Sequence, residues 1–136
     1  MSQKVKQTIF VYFKGAGANE TGFTFNITNI AFQPDTLIVR GVDFQDSATI
    51  ANNLILLYSD LVGNRPLVSF VNPPPKESAT VPYALLSGFM QWKKVYHPIN
   101  IILQGTFQFT YKTADGNLAD LDGDICIELE FSKGYY

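Results

Sequence analysis

The sequence predicts an all-β fold, a single jelly-roll-like antiparallel β-sandwich of about eight strands spanning residues 1–136. Three observations lead to this prediction. Short segments alternate apolar and polar residues, as half-buried strands do. Turn-forming Gly, Pro, Asn and Asp separate these segments. No segment combines helical periodicity with helix-capping residues at its ends.

Three strands are predicted in the first third of the chain. Residues 5–14 alternate, but Phe10 and Tyr12 share a parity with lysine and threonine, so both faces of this strand are expected to be partly covered. Residues 21–29 alternate more regularly, with aromatic and aliphatic side chains on one parity. Residues 37–44 are rich in the β-branched and aromatic residues that pack well on a pleated surface.

Residues 50–62 are ambiguous between helix and strand. Leu54, Leu57 and Leu61 have helical spacing, but Gly63-Asn64 would end a helix early, so a strand is preferred. Residues 66–71 read as a short return strand.

The strands predicted in the second half differ in clarity. Residues 81–86 and 89–96 carry Pro82 and Lys93-Lys94, which favour edge strands or a loop crossing a sheet rim. Residues 99–103 are also predicted as a strand. Alternation is clearest in the last two predicted strands, 106–111 and 124–131.

The alternation also predicts which side chains form the core. The inward positions of the clearest strands share one parity and are apolar. They are Phe23, Phe25, Ile27, Leu37, Val39, Phe107, Phe109, Ile125, Ile127, Leu129 and Phe131.

The composition favours an assembly component over a free monomer. Hydrophobic residues make up 46% of the chain and charged residues only 16%, so a domain of this size leaves apolar surface for a partner to cover. The net charge of −2 and the lack of a long basic run argue against direct binding to nucleic acid. No apolar run is long enough to span a membrane.

Cysteine usage and the N-terminal sequence predict where the chain folds. A single cysteine, Cys126, excludes an intramolecular disulfide, and the first residues lack the apolar core of a signal peptide. We therefore expect folding in a reducing cytoplasm.

The reactive side chains do not form a recognisable catalytic set. His97 is the only histidine and is expected in a loop, without the partners that a catalytic triad or a metal site requires. Carboxylates on the same strand face, including Glu128 and Glu130, are expected to raise the pKa of the Cys126 thiol. No common enzyme signature is present, so we expect no catalysis and no cofactor.

An acidic loop precedes the last predicted strand. Asp115, Asn117, Asp120, Asp122 and Asp124 could supply oxygen ligands to calcium. The spacing matches no EF-hand, and Asp-Gly pairs are typical of turns, so we expect no bound metal.

Aromatic residues outside the clear alternation are candidates for contacts with partners. We nominate Trp92, Tyr135 and Tyr136 as interface residues because strand alternation gives them no inward position. Together with Tyr96 they would also suit stacking on sugar rings.

Four segments carry a family resemblance. They are residues 32–44, 58–62, 105–109 and 123–131. Their strand patterns resemble those of small single-jelly-roll capsid or capsid-associated proteins of large double-stranded DNA viruses and virophage-like viruses. The resemblance implies a penton, minor capsid, cement or spike subunit of the virion, folded in the host cytoplasm, oligomeric and without a cofactor.

The sequence and the resemblance together lead to one functional prediction and one alternative. We expect a homo-oligomer, trimer or pentamer before dimer, that also contacts other capsid proteins. The alternative is a carbohydrate- or receptor-binding head built on the same kind of sandwich.

Overall fold

A computed structural model describes residues 5–14, 21–46, 54–71, 91–119, 121 and 123–134, with only the backbone described at 45, 46 and 91–93. These residues form eight strands and no helix. The strands are β1 (Val5–Phe13), β2 (Gly22–Ile27), β3 (Thr36–Asp46), β4 (Leu54–Ser59), β5 (Pro66–Val71), β6 (Gln91–Pro98), β7 (Gly105–Thr113) and β8 (Gly123–Lys133). The described part of the chain therefore has no helix that could cross a membrane.

The strands form two antiparallel sheets, in the orders β1-β8-β3-β6 and β2-β7-β4-β5. Four pairings, β1 with β8, β2 with β7, β3 with β6 and β4 with β5, describe one long hairpin whose tip is the β4–β5 turn. Two further pairings, β3 with β8 and β4 with β7, roll this hairpin into a sandwich. This connectivity is that of a jelly roll, which confirms the predicted fold class.

The part of the ambiguous segment 50–62 that forms β4, residues 54–59, is a strand, as predicted. β4 pairs with both β5 and β7, and a turn at residues 60–65 follows it. The strand predicted at 81–86 lies outside the described residues. β6 is an edge strand, as Lys93-Lys94 suggested.

The prediction of a strand at residues 99–103 is wrong. This segment carries the chain from β6 in one sheet to β7 in the other, and it pairs with no strand among the described residues. Ile99 and Leu103 are buried, whereas Ile102 is 77% exposed. The apolar residues of this segment thus help to close one end of the sandwich.

The core lies between the two sheets and is rich in aromatic rings. Phe109 stacks on Phe23 and Phe23 stacks on Phe13, with centroids 4.9 and 5.0 Å apart and rings nearly parallel. The stack therefore joins β7 and β2 of one sheet to β1 of the other. All predicted core residues are buried except Phe25, which is partly buried because it lies at the margin, edge-on to Tyr12.

Close packing of β2 on β7 depends on a glycine. Gly22 pairs with Thr110, and a Cβ at this position would lie 2.1 Å from the carbonyl oxygen of Phe109. No side chain fits there without a shift of the backbone. The first residue of β2 must therefore lack a side chain for β2 to keep this position.

Candidate assembly surface and neighbouring sites

Exposed aromatic side chains mark the two margins of the β1-β8-β3-β6 sheet. Phe10 and Tyr12 on β1 are 52% and 66% exposed, and Tyr96 on β6 is 58% exposed. Both strands lie at the edges of the sheet that the described residues form, and these residues alternate with the inward-facing Val11 and His97. We call Phe10 with Tyr12 the β1 patch and Tyr96 the β6 patch.

The two patches lie on opposite margins of one sheet. Three strand-to-strand spacings separate β1 from β6, a distance of about 14 Å. Each half-exposed ring offers roughly 100 Å² of surface, which is small beside the roughly 800 Å² that each partner buries in a standard interface. The β1 patch is also visible in the sequence, where Phe10 and Tyr12 occupy the same strand face as lysine and threonine side chains.

A charged cluster lies between the patches. Arg40 occupies the irregularity in the β3 register between Val39 and Gly41. Its guanidinium lies 3.9 Å from Glu128 and 3.5 Å from Glu130. The bulge places the Arg40 guanidinium beside the carboxylates of Glu128 and Glu130. With one positive and two negative groups, the cluster has a net negative charge.

Asp43 and Cys126 are paired on the outer side of the same sheet. Burial raises the pKa of the Asp43 carboxyl. Burial first, and then the carboxylates of Asp43 and Glu128, raise the pKa of the Cys126 thiol. The predicted direction for Cys126 is confirmed, with burial as the larger cause. Such a thiol is poorly suited to act as a nucleophile.

The nominated interface residues lie mostly beyond what the structure describes. Tyr135 and Tyr136 are outside the described residues. Trp92 is in β6, where its backbone pairs with Gly41 of β3, and its side chain is not described. The three nominations stay predictions. Trp92 lies on the same edge strand as the β6 patch.

His97 is not in a loop, and that prediction is wrong. It is a buried residue of β6 that contacts the edge of the opposite sheet. Its Nε2 lies 2.7 Å from the carbonyl oxygen of Leu67, and its Nδ1 accepts a hydrogen bond of 3.0 Å from Nε of Arg65. Because the carbonyl can only accept and the guanidinium can only donate, the ring is the neutral Nε2–H tautomer.

The surroundings of His97 oppose its protonation. Burial lowers the pKa of the imidazole, the hydrogen bond to Leu67 raises it, and the Arg65 charge lowers it. Arg65 also donates a hydrogen bond of 2.9 Å to the carbonyl oxygen of Pro98. The pair therefore bridges β6 to the start of β5, which belongs to the other sheet.

The first part of the acidic loop is a turn. Asp115 accepts hydrogen bonds from the Thr113 hydroxyl and, at 3.1 Å, from the Asn117 amide, and Gly116 has a φ of 90°. The hydrogen bond from Thr113 is the largest cause of the lowered pKa of Asp115. The expectation that the second Asp-Gly pair also forms a turn is wrong for its glycine, because Gly123 starts β8, opposite Asp46. Residues 120 and 122 lie outside the described residues. The described residues contain no cluster of three or more His, Cys, Asp or Glu side chains that could hold a metal ion.

A cleft with both polar and apolar lining lies on the outer face of the β2-β7-β4-β5 sheet. It is open to solvent and has a volume of about 670 Å³ between the turn after β4 and the start of the loop after β7. We call it the β4–β7 cleft. Its lining includes Tyr58, Asp60, Asn64, Gln108, Lys112 and Leu118.

No protein-family model matches this chain, and no curated protein is similar to it in sequence. Several solved structures align with nearly all of it at low similarity, among them the following three. The dimeric latent PorU of Porphyromonas gingivalis gives a TM-score of 0.46 at 11% identity over 96% of this chain, which spans 13% of that chain. A Bacillus endospore appendage from a family of disulfide-linked pili gives 0.38 at 14% identity, with 96% and 89% coverage. The VP2 subviral particle of infectious bursal disease virus gives 0.30 at 10% identity, with 97% and 37% coverage. These similarities are too low to support an argument about function. The fold class is based on strand order and pairing.

Proposed function

We propose that this protein is a structural virion protein, a capsid or capsid-associated jelly-roll subunit that self-assembles and contacts neighbouring shell proteins. The proposal combines the resemblance in the strand sequences with the jelly-roll connectivity. It assigns the protein no catalytic activity and no cofactor. Folding takes place in the host cytoplasm and the mature protein is located in the virion.

The observation that carries the proposal is the placement of exposed aromatics on both margins of one sheet. An interface needs buried aromatic anchors more than it needs ion pairs. Phe10 and Tyr12 supply such anchors on β1, and Tyr96 supplies one on β6.

Two different patches on opposite margins favour a ring over a two-fold dimer. In a head-to-tail contact, the β1 patch of one copy meets the β6 patch of the next, and the assembly closes when the rotation between copies closes. A two-fold dimer would instead bring identical patches together. We therefore propose a trimer or pentamer, with other capsid proteins contacting the remaining surface.

Mixing two assembly-defective variants tests this arrangement. One variant carries Phe10→Ser and Tyr12→Ser, and the other carries Tyr96→Ser. We expect light scattering to show that the wild type is oligomeric and each variant is monomeric. An equimolar mixture should form a dimer, because each variant retains the patch that the other lacks.

Salt dependence and a matched control complete the test. Assembly through aromatic surface should survive about 0.5 M salt, at which the Debye length is only about 4 Å. Thr106→Ala, at an exposed position on the other sheet, should leave the oligomer unchanged. A monomeric wild type at micromolar concentration, assembly that salt alone dissolves, or oligomers that persist in both variants would contradict the proposal. Truncation of Trp92, Tyr135 or Tyr136 extends the test to the residues nominated from the sequence.

A further inference from the structure

The β4–β7 cleft has the chemistry of a binding site that the assembly proposal does not use. Its floor is made by residues of β4 and β7 whose side chains point away from the core. Tyr58 pairs with Thr110 across these strands, and Leu118 is 61% exposed at one margin. The cleft lies on the sheet opposite to the one that carries the aromatic patches.

We propose that the β4–β7 cleft binds a neutral saccharide of one or two rings. A sugar presents many hydroxyl groups together with patches of C–H, and the cleft offers matching groups of both kinds. Asn64, Gln108 and Thr110 provide amide and hydroxyl groups, and Tyr58 and Leu118 provide apolar contact. A volume of about 670 Å³ lies within the range of small-molecule sites, roughly 300–1,000 Å³.

The charges in the cleft favour a neutral ligand. Its lining contains one carboxylate, Asp60, and one ammonium, Lys112. An anion would meet the carboxylate and a cation would meet the ammonium, whereas a polyol can donate a hydroxyl hydrogen to one and accept a hydrogen from the other.

Two contacts hold these groups in place before a ligand arrives. Oδ1 of Asp60 accepts a hydrogen bond of 3.0 Å from the backbone N–H of Gln108, which fixes the carboxylate at the end of β4. Nζ of Lys112 lies 4.4 Å from the centroid of the Tyr58 ring, which fixes the ammonium above the aromatic face. Groups that are already ordered lose little entropy on binding.

Titration of the labelled full-length chain tests the proposal. The probes are the methyl glycosides of glucose, galactose, mannose and N-acetylglucosamine and their β-linked disaccharides, with inorganic phosphate as the anionic comparison. Each is added up to about 50 mM, a range that covers the millimolar dissociation constants expected of an open site. We expect at least one glycoside to shift the NMR signals of Gln108, Asn64 and Lys112 in a saturable manner, and phosphate to shift none of them.

Two substitutions in the cleft separate recognition from folding. Asp60→Asn keeps an oxygen that can accept from the Gln108 N–H but removes the charged acceptor, so sugar affinity should fall about tenfold while the melting temperature is retained. Tyr58→Leu keeps apolar volume and removes the aromatic ring, and affinity should fall as well. Thr8→Ala, at an exposed position on the other sheet, is the matched control and should bind sugar as the wild type does.

The same measurements define failure. Absence of saturable shifts with every glycoside, shifts confined to residues outside the cleft, equal affinity in Asp60→Asn and wild type, or a response to phosphate in place of sugar would each overturn the proposal. None of these results depends on the oligomeric state, so the sugar site and the assembly proposal can fail separately.

Discussion

Removal of the Phe109 ring tests the packing of the whole sandwich. Phe109 is fully buried, and its ring lies 4.9 Å from that of Phe23 at an interplanar angle of 7°. Phe23 in turn stacks on Phe13 of the opposite sheet. Phe109→Ala therefore leaves a cavity at one end of a stack that connects the two sheets.

The expected loss is large relative to the total stability of a domain. Truncation of a buried Phe to Ala costs about 3–5 kcal/mol, and the lost stacking places this site in the upper half of that range. With an unfolding entropy of about 2.1 cal/mol/K per residue, a loss of 4 kcal/mol lowers the melting temperature by roughly 14 °C. Phe109→Leu retains most of the apolar volume and should cost about 1–2 kcal/mol.

Urea unfolding of the wild type, Phe109→Ala, Phe109→Leu and Thr106→Ala measures these differences. Thr106 is exposed on the same strand, so its truncation should change the stability by less than about 0.5 kcal/mol. The slope of free energy against urea concentration should be the same in all four proteins. A loss below about 1 kcal/mol for Phe109→Ala would show that Phe109 does not pack in a rigid core.

Two further predictions concern protons and metals. The pKa of His97 is lowered from 6.5 in the folded chain, so the unfolded chain binds the proton more readily and stability should fall as the pH drops below 6.5. Urea unfolding near pH 5 and pH 7.5 checks this, because the difference in the free energy of unfolding between the two pH values should be smaller in His97→Gln than in the wild type. An equal difference in both proteins would show that groups other than His97 cause it. EDTA should leave the melting temperature unchanged, because Thr113 and Asn117 already engage the Asp115 carboxylate. A fall on adding EDTA that calcium reverses, and that Asp122→Ala abolishes, would show a metal site in the acidic loop.

The inward faces of the strands could be predicted from the sequence because side chains alternate strictly along a strand. In β8, the parity of Ile125, Ile127, Leu129 and Phe131 is sufficient to assign the buried face, and all four are buried. Phe25 has the same parity signal but is only partly buried. Its position at the margin of the sandwich depends on β1 and β2 meeting there, which alternation within one strand cannot reveal.

The candidate sites were harder to predict, because they combine residues distant in sequence. The β4–β7 cleft brings Asp60 beside Gln108, and no local pattern indicates that pairing. The sequence shows that the aromatics of the β1 patch share a strand face with lysine and threonine. That they lie at the margin of a sheet follows only from the position of β1 in the strand order.

The sequence by itself determined the all-β class, most strand positions and the apolar face of each clear strand, because local alternation and turn residues act over a few neighbouring positions. Only the tertiary structure decided which strands share a sheet, that residues 99–103 cross between sheets without pairing, and that His97 is buried against Arg65 and Leu67. These features depend on contacts between segments far apart in the chain. Hydrogen bonding between strands and burial between sheets are set by the whole fold, and no short stretch of sequence contains both partners.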